Sequence, residues 1–255
     1  MKQRIKNILS LFLLLLFLFP LAIQAQDSLM VKAGKYYDSK EYDKAIELYQ
    51  GILKNKQESA EIYYNLGNAY YKSGKFTQSI IQYERAKLLA PNDDDIQFNL
   101  TLANHYVVDA IDEIPQVFFI RWYHNFKNKF SSDRWAHIST ISFILMMIMA
   151  GIFFLSRTAG IKKSSFWAGI LMLFTTLLSF NFASSQKNKI EGHNFAIITQ
   201  PSITVKSSPS DGGTDLFLIH EGLKVQIKDS LDTWYEIKIA DGNQGWLPKR
   251  SLEKI

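Results

Sequence analysis

The sequence predicts a multidomain membrane protein with three parts: an all-α solenoid of helical repeats, a two-helix transmembrane hairpin and an all-β small barrel. Three observations support this fold class. A 34-residue pattern recurs in the first half of the chain, two long uncharged runs follow it, and short alternating segments come last. Because 255 residues are divided among parts of such different character, we expect two modest soluble domains around the hairpin.

Residues 1–25 have the layout of a signal peptide. Three cations precede an apolar run, and Pro20 and a short exit then lead to Ala25. We expect cleavage before Gln26. Because Ile23 occupies a position that usually holds a small residue, an uncleaved anchor is the alternative. In both cases the chain that follows is exported.

Residues 26–106 carry the helical repeats. The 34-residue stretch 60–93 has the aromatic, small and proline residues of a tetratricopeptide repeat, namely Tyr63, Leu66, Gly67, Tyr70, Ser79, Tyr83, Ala86 and Pro91. A looser copy precedes it, with Ala33, Tyr36, Ala45 and Tyr49 at the matching offsets. Residues 95–106 predict a capping helix. The three aspartates before it favour the capping of that helix over a metal site.

The resemblance to tetratricopeptide proteins implies a concave surface that binds extended or helical peptides. The expected lining residues are Tyr64, Asn65, Asn68, Tyr71, Phe98 and His105. We expect Asn65 and Asn68 to bond the backbone of a ligand, and a solvated helix face is the alternative for each residue. Met30 and Gly34 stand where that family's carboxylate clamp has ligands, so no such clamp is expected.

Residues 107–137 form an aromatic juxtamembrane linker. Its aromatic residues recur at helical spacing, and cations occupy the opposite face of the predicted helix. This pattern is typical of a helix that lies in a membrane interface, here through Phe119, Trp122 and Phe126. Trp135 is expected at the headgroup level. Packing of the helix against the repeats is the alternative.

Residues 138–185 predict a transmembrane hairpin with helices at 138–156 and 164–185. Each uncharged run is about 30 Å long as a helix, which matches the hydrocarbon thickness of a bilayer. Two buried helices of a soluble core are the alternative. Ser132 or Asp133 is expected to cap the first helix.

The hairpin returns the chain to the exported side, which predicts an inner-membrane protein with both soluble domains in the periplasm. The net charge of +5 arises from cations before the apolar run of the signal peptide and in loop 157–163, where the positive-inside rule places them. The basic residues therefore indicate topology and not nucleic-acid binding. Four cations near the first helix lie on the outer side against that rule, namely Arg121, Lys127, Lys129 and Arg134.

Residues 194–255 predict an all-β domain, because short alternating runs are separated by turn residues. Six runs are expected to form strands, at 196–198, 203–206, 216–219, 224–228, 235–239 and 245–247. The sequence resembles the bacterial SH3 domain at Val205, Lys206, Pro209, Glu221, Gly222, Trp234, Tyr235, Asp241, Gly242, Gly245 and Trp246. This resemblance implies an SH3-like barrel that binds peptides or cell-wall peptides through Trp234, Tyr235 and Trp246. Completion of the barrel core is the alternative role for these residues.

No catalytic or metal-binding pattern stands out in the sequence. The chain has no cysteine, which excludes disulfides, a thiol nucleophile and thiolate metal ligands. The histidines lack the spacing of a metal motif, and neither a phosphate-binding glycine loop nor a nucleophile elbow is present. We therefore expect a protein that is not an enzyme and needs no cofactor.

Taken together, the chain resembles BatE-type proteins of the bacterial aerotolerance (Bat) operon. The resemblance rests on the order of the parts and on the stretches 118–122 and 131–135. It implies an inner-membrane protein that acts beside Bat partners in tolerance of oxygen or stress. The leading hypothesis is a scaffold for exported and membrane proteins, and the alternative is a peptidoglycan sensor or tether that uses the SH3-like domain.

Overall fold

The computed structural model describes residues 27–55, 58–109, 111 and 117–255. The predicted signal peptide lies outside these residues. Eight helices are described, in the order α1 (Asp27–Asp38), α2 (Tyr42–Lys54), α3 (Ala60–Lys72), α4 (Phe76–Leu89), α5 (Asp94–Asn104), α6 (Phe118–Asn128), α7 (Ser132–Leu155) and α8 (Ala159–Glu191). The strands follow them, in the order β1 (Phe195–Ile198), β2 (Ser202–Lys206), β3 (Asp215–His220), β4 (Lys224–Leu231), β5 (Trp234–Lys238), β6 (Gln244–Pro248) and β7 (Leu252–Lys254).

Helices α1 to α5 form the repeat domain, in which α1 pairs with α2, and α3 pairs with α4. Gly67 on α3 and Ser79 on α4 meet where the second pair crosses, and the Ser79 hydroxyl donates to the Gly67 carbonyl at 2.9 Å. The small side chains allow this approach, as the sequence predicted. Gly74 ends α3 with a φ of 76°, a left-handed conformation that glycine adopts without strain.

Helix α5 closes the solenoid in place of a complete third repeat. Asp93 caps it, because its side chain accepts the backbone N–H groups of Asp95 and Ile96, each at 3.1 Å. The capping role predicted for these aspartates is confirmed. The apolar residues Ile96, Leu100 and Ala103 face inward and are buried.

Helices α7 and α8 pack along each other as the hairpin, and both are long and apolar enough to cross a membrane. Only 11% and 17% of their most apolar windows are buried, which is unlike the core helices of a soluble protein. The connecting loop is shorter than predicted, because Lys162 and Lys163 lie in the first turns of α8. Lysine has a high helix propensity, so the polar end of α8 continues as helix.

Helix α8 also extends beyond the predicted end at 185, as far as Glu191. Lys187 and Glu191 are one turn apart in this extension and form an exposed ion pair at 3.6 Å. The extension brings the chain from the hairpin directly to the β-domain, which comprises residues 194–255.

Helix α6 packs against the end of the hairpin where α7 begins. The Trp135 indole donates to the Lys127 carbonyl at 2.8 Å, and the Gln186 amide donates to the carbonyls of Lys127 and Phe130 at 2.5 and 2.9 Å. We call residues 128–134, from the last residue of α6 to the first turn of α7, the elbow. The N-cap of α7 is Ser131, so the predicted cap at Ser132 or Asp133 is wrong. The Ser132 hydroxyl instead donates to the Ala183 carbonyl on α8.

The β-domain is a seven-stranded antiparallel sheet in the order β3-β2-β6-β5-β4-β1-β7. The six predicted strands are present, and β7 was not predicted. Inward residues from every strand meet in one core, of which Ala196, Val205, Ile219, Val225, Ile237, Leu247 and Leu252 are members. The sheet therefore wraps around its own apolar interior.

The repeat domain and the β-domain also share a core. Ile80 and Ile81 of α4 pack in one cluster with Ile197 of β1 and Ile255 at the end of the chain. Gly222, with a φ of 86°, lies in this contact, and a Cβ there would come within 2.8 Å of Val107. The two domains flank the hairpin in sequence but form one folded unit.

Candidate functional site

The repeat domain contains a groove whose lining comes mainly from α1, α3 and α5. One part of it, of about 290 Å³, is lined by Tyr37, Tyr64, Asn68, Tyr71, Lys72, Tyr83, Asn99 and Leu102. A second part, of about 320 Å³, includes Tyr37, Asn65 and Asn68 and extends to the first repeat. Tyr37 and Asn68 belong to both parts, so the groove is continuous across the repeats.

A hydrogen-bond network fixes the centre of the groove. The Asn68 side-chain oxygen accepts from the Tyr83 hydroxyl at 2.6 Å and from the Asn99 amide at 2.9 Å. The Asn99 amide also donates to the Tyr64 hydroxyl at 3.0 Å. Burial raises the pKa of Tyr83 far above its ordinary value, so the phenol stays protonated and acts as a donor. The Asn68 amide nitrogen forms no hydrogen bond with a described residue and is available to donate a hydrogen bond to a ligand.

The groove carries opposite charges at its two ends. Asp38 and Glu61 line the part near the first repeat, whereas Lys72 lines the part near α5. Between the ends, the lining consists mainly of tyrosine rings and side-chain amides. Such a surface offers flat apolar contacts together with a few directed hydrogen bonds, which suits a peptide better than a small charged metabolite.

The structure brings together four of the six predicted groove residues, namely Tyr64, Asn65, Asn68 and Tyr71. Phe98 is 64% exposed and lies outside both parts of the groove. His105 also lies outside them, and its ring bonds the Thr101 carbonyl at 2.7 Å.

Sequence reasoning missed Tyr37, Lys72, Asn99 and Leu102. The repeat itself contains the signal for them, because a shift of 34 residues relates Tyr37 to Tyr71, Asp38 to Lys72, Asn65 to Asn99 and Asn68 to Leu102. The groove is therefore periodic in position but varies in chemistry from one repeat to the next.

Comparison with known families identifies the repeats. The model described as "TPR repeat" matches residues 35–74, and the model described as "Tetratricopeptide repeat" matches residues 60–93. The chain contains tetratricopeptide repeats. Neither match reaches the hairpin or the β-domain, and no curated protein matches the chain. The tetratricopeptide repeats indicate a protein-interaction module rather than a catalytic one.

The β-domain places Trp234 and Trp246 on one face and Tyr235 on the other. Trp234 pairs with Pro248 and Glu236 pairs with Trp246 in the β5–β6 register, so these four residues share the outer face of the sheet. Tyr235 packs against the core instead, with the Lys249 and Lys254 ammonium groups 4.8 and 4.7 Å from its ring centre. The three predicted ligand residues do not form one surface.

The four predicted membrane-interface residues also separate into two pairs. Phe119 and Trp122 on α6 are 67% and 62% exposed. Trp135 is buried in a cluster with Phe182, and the Phe126 ring packs against both. Phe119 and Trp122 therefore have surface available for other contacts, whereas Phe126 and Trp135 pack α6 against the hairpin.

The described residues contain no group of three or more His, Asp or Glu side chains that could hold a metal ion.

Proposed function

We propose that this protein is a membrane-anchored extracytoplasmic scaffold that binds a protein partner in the groove of its tetratricopeptide repeats. The observation that carries the proposal is the network around Asn68, which orients a free amide donor between tyrosine rings. Orienting this donor before a ligand arrives reduces the entropy that binding would otherwise cost. The donor then suits a backbone carbonyl of an extended or helical segment.

The charges at the ends of the groove give the bound segment a direction. A segment with a basic residue near Asp38 and Glu61 and an acidic group near Lys72 fits the lining best. These charges are exposed, so they contribute more to orientation and association rate than to affinity.

The contact between the repeat domain and the β-domain supports the membrane topology. Arg85 of α4 pairs with Glu253 at 2.9 Å, and the Thr77 hydroxyl donates to Glu221 at 2.8 Å. These residues precede and follow the hairpin, so direct contact requires both domains to lie on the same side of any membrane that the hairpin spans. An exported N-terminus then places both domains outside the inner membrane.

The groove is tested by comparing two charge-matched double variants in native membranes. Asn65→Ala with Lys72→Glu changes the groove and leaves the Asn68 network intact. Lys54→Glu with Asn55→Ala makes the same changes at the end of α2, outside the groove. We expect crosslinking and mass spectrometry to show a partner with the wild type and the control but not with the groove variant. Equal recovery from both variants would rule out the groove as the binding site.

A role in tolerance of oxygen follows from the resemblance to BatE-type proteins, with Bat-type membrane proteins as the partners. In this proposal the chain holds the partners together and performs no chemical step. The groove variant should therefore lose the partner and the tolerance together. Retained tolerance after loss of the partner, or oxidant consumption by the purified protein at a catalytic rate, would contradict the scaffold.

A second candidate is a peptidoglycan tether that uses the outer face of the β-domain. The observation in its favour is that Trp234 and Trp246 lie on the same face beside Glu236. If the face binds cell wall, the full chain should sediment with purified peptidoglycan, and Trp234→Ala with Trp246→Ala should abolish the sedimentation. Failure of the wild type to sediment removes this candidate and leaves the groove proposal unaffected.

A further inference from the structure

A second cleft, of about 380 Å³, lies between the repeat domain and the elbow at the outer end of the hairpin. The turn between α4 and α5 forms one wall, at residues 89–93, and the other wall consists of Asn128, Lys129, Ser131 and Arg134. These last residues lead directly into α7. The cleft therefore joins a loop of the repeat domain to the start of the first apolar helix.

The elbow wall of this cleft is positively charged and unneutralised. Lys129 and Arg134 are exposed, and neither forms an ion pair with a described residue. Asp93 is the acid in the described lining, and its carboxylate already accepts the two amides that cap α5. The Asp93 carboxylate keeps its negative charge, so the described lining of the cleft, with two cations and one anion, carries a net charge of +1.

The surroundings of the elbow are positive as well. Burial first, and then the nearby charges of Lys127 and Lys189, lower the pKa of His124 on α6. Burial is the larger cause, and the two ammonium groups act in the same direction because they add positive charge near the elbow. Such a region attracts anions from solution or from a membrane surface.

The position of the cleft relative to the bilayer determines which anion is available to bind there. Arg134 lies one helical turn before the apolar run that starts at Ile138, which is about 6 Å along the axis. With the hairpin in a bilayer, this level is that of the lipid headgroups. The exposed rings of Phe118, Phe119 and Trp122 lie in the first half of α6, the helix that leads into the elbow, and provide an apolar surface on that helix for acyl chains.

We propose that the cleft at the elbow binds the phosphate of an anionic phospholipid, with Lys129 and Arg134 as the cationic groups and Ser131 in the lining. This proposal rests on the proposed function only in that the hairpin must span the membrane. It gives a physical reason for cations on the outer side, where the positive-inside rule disfavours them. A bound headgroup would also link residues 89–93 to the bilayer and set the orientation of the peptide groove.

The test uses the full chain purified in a neutral detergent, with phosphatidylglycerol and phosphatidylcholine as probes in native mass spectrometry and thermal melting. We expect phosphatidylglycerol to remain bound and to raise the melting midpoint, and phosphatidylcholine to do neither. Lys129→Gln with Arg134→Gln should weaken phosphatidylglycerol binding roughly 25-fold, because each cation near an anionic surface contributes about a factor of five. Both side chains are exposed, so the variant should fold.

Two controls make the outcome specific. Lys32→Gln with Lys35→Gln removes the same charge from exposed positions on α1 and should retain full binding. Lys129→Arg with Arg134→Lys preserves the charge at the elbow and should retain binding within a few-fold. Equal binding by the Gln variant and the wild type overturns the site. An equal effect of inorganic phosphate at the same concentration overturns the assignment to a lipid.

Alkaline extraction of membranes separates this proposal from the one it rests on. A chain that is released from membranes by alkaline extraction would disprove the spanning hairpin and the lipid site with it. A chain that resists extraction but shows no preference for phosphatidylglycerol would overturn the lipid site alone.

Discussion

Lys224 at the start of β4 and Glu84 on α4 form an ion pair at 2.5 Å, although 140 residues separate them in the chain. The Glu84 side chain is only 8% exposed, whereas that of Lys224 is 38% exposed. The Lys224 ammonium also lies 5.0 Å from the centre of the Phe195 ring. This pair joins the parts of the chain on either side of the hairpin.

Lys224→Met should destabilise the protein, because it leaves the Glu84 carboxylate buried without its partner. We expect a loss of about 1–3 kcal/mol in the free energy of unfolding, the usual cost of an unsatisfied buried polar group. Thermal melting of the full chain in detergent measures it. Lys228→Met, at an exposed position on the same strand, is the control and should change little. Glu84→Gln in the Lys224→Met background should recover part of the loss, and the absence of any recovery would mean that the two residues are not coupled.

The domain contact and the hairpin together predict the accessibility of single cysteines in this cysteine-free chain. Gln78→Cys on α4 and Ser210→Cys after β2 should both react with an impermeant thiol reagent on intact cells, whereas Thr158→Cys in the hairpin loop should not. All three positions are exposed, so burial does not explain a difference in labelling. Reaction at 158 alone would reverse the topology, and different reactivity at 78 and 210 would contradict the domain contact.

Gly67→Ala should destabilise the repeat domain even though alanine is small. A Cβ at this position would lie 2.6 Å from two ring carbons of Tyr83, which is 1% exposed and bonded to Asn68. Overpacking of this kind costs about 1–3 kcal/mol. Gly34→Ala is the matched control, since nothing lies within 4 Å of its Cβ and alanine favours a helix by about 0.5–1 kcal/mol. Melting midpoints of the two variants should therefore move in opposite directions.

Gln186→Leu should loosen α6 from the hairpin. The variant loses the hydrogen bonds that the Gln186 side-chain amide donates to the Lys127 and Phe130 carbonyls. Each of these hydrogen bonds contributes about 0.5–1.5 kcal/mol. Trypsin should then cleave faster after Lys127 and Lys129, which is measured by limited proteolysis of the chain in detergent. Asn188→Leu, at an exposed position on α8, should leave the cleavage rate unchanged. Equal rates in all three proteins would show that these bonds do not hold the elbow.

The sequence by itself determined the kind of each part of the chain, six of the seven strands and four residues of the groove lining. The 34-residue period, the charge-free runs and the alternation after Phe195 are local patterns, and local patterns specify which face of an element is apolar. The close approach at Gly67 and the cap at Asp93 were predictable for the same reason. Each involves neighbours within one repeat, whose geometry the repeat itself defines.

Only the tertiary structure decided how these elements meet. The shared core of Ile80, Ile81, Ile197 and Ile255, and the pair between Glu84 and Lys224, join residues that are far apart in the chain. No sequence period relates such residues, because contacts between domains depend on surface shape and on the path of the hairpin. The same reason explains why Trp135 is buried and holds α6 against the hairpin. It also explains why Tyr235 faces the core while Trp234 and Trp246 face outward. An aromatic side chain is more stable in an apolar environment, which is predictable from the sequence. The packing of neighbouring elements decides whether the protein or the membrane provides that environment.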